Sequence, residues 1–297
     1  MPRDLPFDAA TAPEARWWRH LEDPSRGRLV ECRLCPHFCR LSEGQTGRCL
    51  ARGVVQGRLR ALTWGQAASI AMDPVEKKPL RGFLPGTMTL SMGSVGCNLR
   101  CRFCQNHTIS HPAHGEWPRT HLVTPAEFVA LALQQGAPSV AFTYNEPITF
   151  AEYVVEAARL AHASGLKTIA VSAGHISSEA REEFFENIDA ANIDLKFFNP
   201  DSYRHYSGVE RDAIFDTLRF LRHRTRVWLE ITTLVIPNVN DSPGEIRQIA
   251  EWIRDELGRD TPWHLTPFHG AYLMDDHPAT TTDTLRRCRA IAREVLG

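Results

Sequence analysis

Three cysteines fall within eight residues, in the segment Gly96-Cys97-Asn98-Leu99-Arg100-Cys101-Arg102-Phe103-Cys104-Gln105-Asn106. Thiolates are soft ligands that suit iron–sulfur clusters and zinc. A structural zinc site takes four protein ligands, and no local fourth is in view. Three thiolates on one loop fit a [4Fe–4S] cluster whose remaining iron is open to a ligand; a zinc knuckle is the other reading. A second group, Cys32-Arg33-Leu34-Cys35-Pro36-His37-Phe38-Cys39 with Cys49 ten residues on, carries four thiolates, enough to close a tetrahedral site. Zinc is the first expectation there and a second Fe–S cluster the next. A module of about thirty residues buries little apolar surface, so metal would be its main source of stability. Disulfides fit poorly: the chain has 297 residues and seven of its eight cysteines lie in the two tight groups, unlike a small disulfide scaffold. Cys288, alone in an amphipathic stretch, reads as a small buried hydrophobe.

The elements that must position these groups follow from hydrophobic rhythm. Apolar runs of strand length occupy 88–94, 139–144, 167–172, 190–195, 226–234 and 263–268, and helical patterns follow nearly all of them. Thr124-Pro125-Ala126-Glu127 combines an N-cap, a proline at the first helical position and a capping-box glutamate, and Ser242-Pro243-Gly244-Glu245 repeats the device. Gly136, Gly165 and Gly258 sit where helices should stop. The other helices are expected over 149–164, 177–186, 210–223 and 281–295, with a short one over 12–22. Residues 73–87, rich in proline and glycine, read as a connecting loop. Strand alternating with helix predicts an α/β fold with a parallel sheet. Six units are too few for a closed eight-fold barrel, and an open partial barrel or a doubly wound sheet both fit. The expected organisation is an N-terminal helix and Cys-rich module over 1–72 and the α/β unit over 73–297.

Ligands of parallel sheets bind at the carboxyl ends of the strands, and polar residues gather there. Asp194 and Lys196 lie two apart and so share a face; an ion pair at the mouth would orient substrate or cofactor, or simply fix the mouth. His264 and Thr266 share a face in the last strand. His264 is then a candidate acid or base, against the plainer reading of a satisfied structural histidine.

The cysteine loop resembles the radical S-adenosylmethionine (radical SAM) signature: Cys-x3-Cys-x2-Cys, the aromatic Phe103 before the last cysteine and Gln105-Asn106 after it. The resemblance implies a [4Fe–4S] cluster on Cys97, Cys101 and Cys104 whose open iron chelates S-adenosylmethionine, with Phe103 and Asn106 beside it. Glu146, in Tyr144-Asn145-Glu146-Pro147, falls where the superfamily has a Gly-Gly-Glu-like contact to the methionine amino group, with Tyr-Asn replacing the glycines. Ser172 and Gly174 resemble a Thr-Asn-Gly-Tyr segment near the cofactor. Asp194-Leu195-Lys196 resembles the Asp-Leu-Lys of pyruvate formate-lyase activating enzymes, and Thr232 falls in the neighbourhood that borders adenine and methionine. From Cys-x-Leu-Cys-Pro-His at the front, through Asp73-Pro74-Val75-Glu76-Lys77-Lys78-Pro79-Leu80, to Trp-His-Leu-Thr-Pro-Phe-His at the end, the motifs run in the order of the AmmeMemoRadiSam-system radical SAM enzymes. The resemblance therefore implies a partial (β/α)6 barrel, AMMECR-type and Memo-type proteins as candidate partners, and flavodoxin or ferredoxin as the generic electron donor. The functions in view are radical modification of an unidentified substrate, glycyl-radical activation of a partner enzyme, or a non-enzymatic zinc-binding adaptor.

Composition excludes several other classes. Hydrophobic residues make up 43% of the chain and the formal net charge is −1. A sizeable core is expected and no nucleic-acid-binding surface is indicated. The first residues lack the basic start and apolar run of a signal peptide, and no apolar stretch reaches membrane-spanning length. A cytoplasmic location is the expectation.

Overall fold

In the computed structural model of the protein, which describes residues 11–113 and 117–297, the chain begins with short antiparallel strands. β1 (Trp18–Asp23), β2 (Gly27–Cys32) and β3 (Arg40–Leu41) form one small sheet, and β4 (Arg52–Val55) pairs with β5 (Arg58–Ala61) in a hairpin. The helix expected over 12–22 is thus replaced by β1, which runs antiparallel to β2 from Trp18↔Cys32 to Asp23↔Gly27. The reason is turn chemistry: Asp23 Oδ1 accepts from the amides of Ser25 and Arg26 and Gly27 adopts φ +73°, so Asp-Pro-Ser-Arg-Gly reverses the chain. β6 (Gln66–Ala67) leads into the main sheet.

That sheet contains β7 (Ser69–Pro74), β8 (Met88–Gly93), β10 (Ser139–Phe142), β11 (Lys167–Ser172), β12 (Ala190–Asp194), β13 (Trp228–Val235) and β14 (Trp263–Pro267), while β9 (His121–Leu122) pairs only with β6. From β8 through β14 the strands are parallel and lie side by side in chain order. Sequential parallel neighbours joined by helices wind in one direction, and the six expected strands are all present. β7 is a seventh, antiparallel to β8 from Ser69↔Gly93 to Pro74↔Met88; it runs across the boundary expected between residues 72 and 73.

The helices are α1 (His107–Ser110), α2 (Pro125–Gln134), α3 (Ala151–Ala163), α4 (Ser178–Phe185), α5 (Pro200–Ser202), α6 (Asp212–Arg224), α7 (Pro243–Glu256) and α8 (Thr282–Leu296). Thr124 caps α2 with the full reciprocal box. Ser242 caps α7 by accepting from the Glu245 amide, but Glu245 does not reach back. Its carboxylate instead accepts from the amides of Phe198 and Asn199, a long-range bond that wins over the local one.

Side-chain alternation gives the sheet two faces. Val140, Phe142, Ala170, Ala191, Ile193, Leu229 and Ile231 belong to the main core with the helices. On the other face, Ala141, Ile169 and Ala190 pack with Val75, Leu80 and Phe83. The 73–87 segment is therefore more than a connector: it folds under the sheet and plugs the amino-terminal ends of the strands. Asn192 Nδ2 donates to Pro79 O at 2.9 Å, and Glu230 accepts from the amides of Arg81 and Gly82. The opposite, carboxyl end of the sheet is left open. Among the described residues no helix is long and apolar enough to cross a membrane.

Candidate active site at the cysteine loop

The loop leaving β8 turns sharply at Gly96 (φ +94°), whose amide donates to Ile109 O at 2.8 Å. A Cβ there would stand 2.1 Å from Cys49 O, so only glycine fits. Farther along, Arg100 N donates to Ser207 O (2.8 Å) and Arg102 N to Tyr206 O (2.9 Å), which ties the loop to the π-helical turn at Tyr203–Ser207. Leu99 N points at Cys97 Sγ from 3.4 Å, and Cys101 Sγ lies 3.5 Å from Ser207 Oγ. Burial pushes the thiol of Cys101 up to about 11 and that of Cys97 well above its ordinary range, while Lys196 pulls Cys101 the other way. A bound cation would favour the ionised thiolates that burial disfavours.

All three sulfurs face one cleft of about 510 Å³, within the usual range for small-molecule sites. Its walls are the carboxyl ends of the parallel strands. Phe103, Asn106, Glu146, Ser172, Asp194, Lys196 and Thr232, named from sequence, all line it. Asn106 Nδ2 donates to Tyr144 O at 2.7 Å. Phe103 packs edge-on to Phe197, with Lys196 Nζ 5.9 Å from its ring centre. Glu146 is buried and accepts from Ser172 Oγ (2.6 Å), Ala173 N (2.8 Å) and Ile148 N (3.2 Å). Burial outweighs these bonds and raises its carboxyl to about 7. Lys196 Nζ and Asp194 Oδ2 pair at 2.7 Å. The hydroxyl of Thr232 is buried without a hydrogen-bond partner in the described structure, an uncommon condition that a polar ligand would relieve. Three soft donors, two carboxylates, a lysine and an unpartnered hydroxyl suit a metal cluster with a zwitterionic ligand.

Two residues named from sequence lie outside the cleft walls. Gly174 does not line the cleft: a Cβ on it would point at Ile193 and Thr217, 3.2 and 3.4 Å away, and its φ is +70°. The tight packing and the positive φ both favour glycine there. His264 does not line it either. Its Nε2 lies 2.5 Å from Glu230 Oε2, and it borders a neighbouring groove with Arg81, Arg259, Arg289 and Arg293. Period two sets the face of a strand, but not what partner the ring will find there.

Sequence reasoning missed a third group at the cleft. Asp73 Oδ2 accepts from Lys78 Nζ (2.7 Å) and from Tyr144 Oη (2.5 Å), and Lys78 Nζ lies 4.6 Å from the centre of the Tyr144 ring. Burial opposes ionisation of Asp73, yet these donors hold its carboxyl down at about 2. Tyr144 occupies φ +71°, a conformation costly for a bulky residue, and a Cβ on Gly93 would come within 2.9 Å of Tyr144 Cβ. The departure from glycine at this position was the visible signal: a tyrosine is forced into a backbone shape that glycine adopts freely.

The other four cysteines, Cys32, Cys35, Cys39 and Cys49, line a second, small pocket together with Arg52 and Asn98. Among the described residues no three cysteine, histidine or acidic side chains lie close enough together to hold a single metal ion. Cys288 is fully buried with Val235, Ile246 and Leu265, as a small hydrophobe would be.

Comparison with known proteins fits this geometry. Residues 92–253 match the model of the radical SAM superfamily. An uncharacterized protein of Methanocaldococcus jannaschii is 36% identical over 95% of this chain and 82% of its own length. The pyruvate formate-lyase-activating enzyme of Clostridium pasteurianum is 24% identical over 59% of this chain and 72% of its own length. Among solved structures, a radical SAM methyltransferase from Sphaerobacter thermophilus superposes with a TM-score of 0.54 at 17% identity, covering 71% of this chain and 65% of that one, which speaks to the fold alone. Family match, fold and cysteine cleft converge: the chain belongs to the radical SAM superfamily.

Proposed function

We propose that the protein holds a [4Fe–4S] cluster on Cys97, Cys101 and Cys104, binds S-adenosylmethionine in the adjoining cleft and abstracts hydrogen from a substrate. The observation that carries this reading is the convergence of three thiols with Glu146, Asp194, Lys196 and Thr232 on one cleft at the strand ends. Once bound, the cluster would pass one electron to the sulfonium and release methionine and a 5′-deoxyadenosyl radical. The chain's own residues do the orienting. Glu146 is the acceptor for the methionine amino group, and the Lys196–Asp194 pair offers a donor and an acceptor for its carboxylate side and the substrate. The Thr232 hydroxyl supplies a donor. Phe103 covers the apolar flank, and the Asp73–Lys78–Tyr144 group borders the cleft. A flavodoxin or ferredoxin delivers the electron, and AMMECR-type and Memo-type proteins are the candidate partners.

A second reading is activation of a glycyl-radical enzyme. It is supported by the Clostridium pasteurianum relative, and the radical would then take hydrogen from a backbone Cα. The test is direct. The protein is reconstituted anaerobically with iron and sulfide, reduced with dithionite and given S-adenosylmethionine, beside a Cys101→Ala control. Production of 5′-deoxyadenosine by the wild type alone is expected. Zinc in place of iron at Cys97, Cys101 and Cys104 would overturn the reading in favour of a zinc-binding adaptor. A glycyl-radical signal raised by electron paramagnetic resonance in a partner protein would select the second reading over the first.

A further inference from the structure

We propose that the arginine groove along β14 holds the anionic arm of the protein's substrate, a small molecule bearing phosphate or several carboxylates, whose reacting end enters the cysteine cleft past Thr266. The groove has a volume of about 640 Å³, the size of a small-molecule site. Arginines converge on it from separate parts of the chain: Arg81 from the 73–87 segment, Arg259 from the loop after α7, and Arg289 and Arg293 from α8. All four are exposed.

Their charge is left without local compensation. None of the four makes an ion pair among the described residues; the neighbouring acids are taken by other arginines, Asp260 by Arg222 and Glu294 by Arg247. Glu76, the one acidic side chain on the groove walls among the described residues, accepts from Gly86 N at 2.7 Å. Arg289 and Arg293 stand four apart on α8, a spacing at which like charges repel. An anion seated between the walls would relieve that repulsion. Arg259 Nη1 donates to Val295 O and Leu296 O, and Arg289 Nη2 to Leu265 O. A guanidinium carries five N–H donors, so these bonds fix the two side chains and leave donors for a ligand. The planar fork matches phosphate and carboxylate oxygens two at a time.

The groove is continuous with the cleft. β14 is the last strand of its sheet, and its outer edge pairs with no other strand among the described residues. Leu265 and Thr266 point to opposite faces, yet both line the groove, which therefore wraps that open edge. Thr266 also lines the cleft, opposite Leu234 in register and beside Thr232. A ligand anchored by the arginines thus meets the cleft around one strand edge, and binding energy from its anionic arm serves to orient the reacting end. That the occupant is a substrate rests on the radical reading above; that the groove binds an anion does not.

Calorimetry on unreduced full-length protein without S-adenosylmethionine reads the groove alone, with pyrophosphate and citrate as probes. Binding is expected, the stronger probe identifying phosphate or carboxylate as the source of the charge, and Arg81→Gln/Arg293→Gln should weaken it roughly tenfold or more. Arg286→Gln, on α8 but outside the groove, should leave it unmoved. Binding of neither probe, equal weakening by Arg286→Gln, or binding only of a poly-glutamate peptide would overturn the anion site. The substrate role is read separately, on cluster-loaded, reduced protein with S-adenosylmethionine. Phosphorylated or polycarboxylate metabolites should raise 5′-deoxyadenosine formation in the wild type, and raise it less in the double arginine variant. No stimulation, or stimulation only by uncharged compounds, would overturn the substrate role and leave the anion site standing. Absence of any 5′-deoxyadenosine would remove the radical reading and the substrate role with it, while the binding result stands on its own.

Discussion

Glu146 concentrates the electrostatics of the cleft. It is buried, it accepts three hydrogen bonds, and its carboxyl is raised to about 7 because burial penalises the anion more than those donors reward it. Near neutral pH the free protein therefore shares its population between acid and carboxylate. A ligand that donates an amino N–H to Glu146 selects the carboxylate, so a proton must leave before it binds. S-adenosylmethionine affinity, measured by calorimetry on cluster-loaded, unreduced protein, is expected to be flat above about pH 8 and to fall roughly tenfold per unit below about 7. In Glu146→Gln the affinity should be lower and this dependence absent. A wild-type affinity independent of pH from about 6 to 8 would refute Glu146 as the acceptor. The same residue shows how far motif reading reaches: its place after the second parallel strand was legible, whereas its partners Ser172 and Ala173 come from the next strand.

At the scale of elements, β13, β14 and the 73–87 segment are fastened through one side chain. Glu230 accepts from His264, from the amides of Arg81 and Gly82 and from Trp228 Nε1. Burial opposes its ionisation, but these donors prevail and hold the carboxyl at about 2 against an ordinary 4.5. Because the folded value lies below the unfolded one, the stabilisation is complete above about pH 4.5 and drains away as pH falls toward 2. The stability gap between wild type and Glu230→Gln in urea unfolding should be about 3 kcal/mol near neutrality and shrink through that window. A gap that holds constant between about pH 6 and pH 3 would show that Glu230 does not fasten these elements as an anion. Here His264 belongs to a structural network, the plainer of its two sequence readings. The plug itself was hidden in the sequence because its apolar residues, Val75, Leu80 and Phe83, are too few and too irregularly spaced to show a period.

Across the whole molecule, the small N-terminal strands are tied to the large sheet through a buried ion pair. Arg52 of β4 meets Glu152 of α3 at 2.8 and 3.0 Å, and Glu152 also accepts from Arg16 N. Both charged groups are almost fully enclosed, at 1% and 8% side-chain exposure. Removing one partner leaves an uncompensated buried charge. Arg52→Met is therefore expected to cost about 3–5 kcal/mol, and Arg52→Met/Glu152→Met considerably less than the sum of the single changes. Denaturant unfolding of the four proteins in that cycle measures the coupling, and strict additivity would mean that the pair does not join the two parts.

What the sequence determined by itself is local. The six parallel strands, the caps at Thr124 and Ser242 and the helix stops at Gly136, Gly165 and Gly258 follow from periodicity and turn chemistry; the cleft-lining Cys97, Cys101, Cys104, Asp194 and Lys196 follow from short motifs, and Glu146 from the family resemblance those motifs carry. These depend on residues a few positions apart, so each carries its signal in one stretch of chain. Tertiary structure alone decided the rest. It added β7 against β8, folded 73–87 beneath the sheet, turned Gly174 toward Ile193 and His264 toward Glu230, and brought Asp73 to Tyr144. Each of these depends on a partner at the far end of a contact that closes only when the sheet curls, and no spacing along the chain encodes which partner that will be.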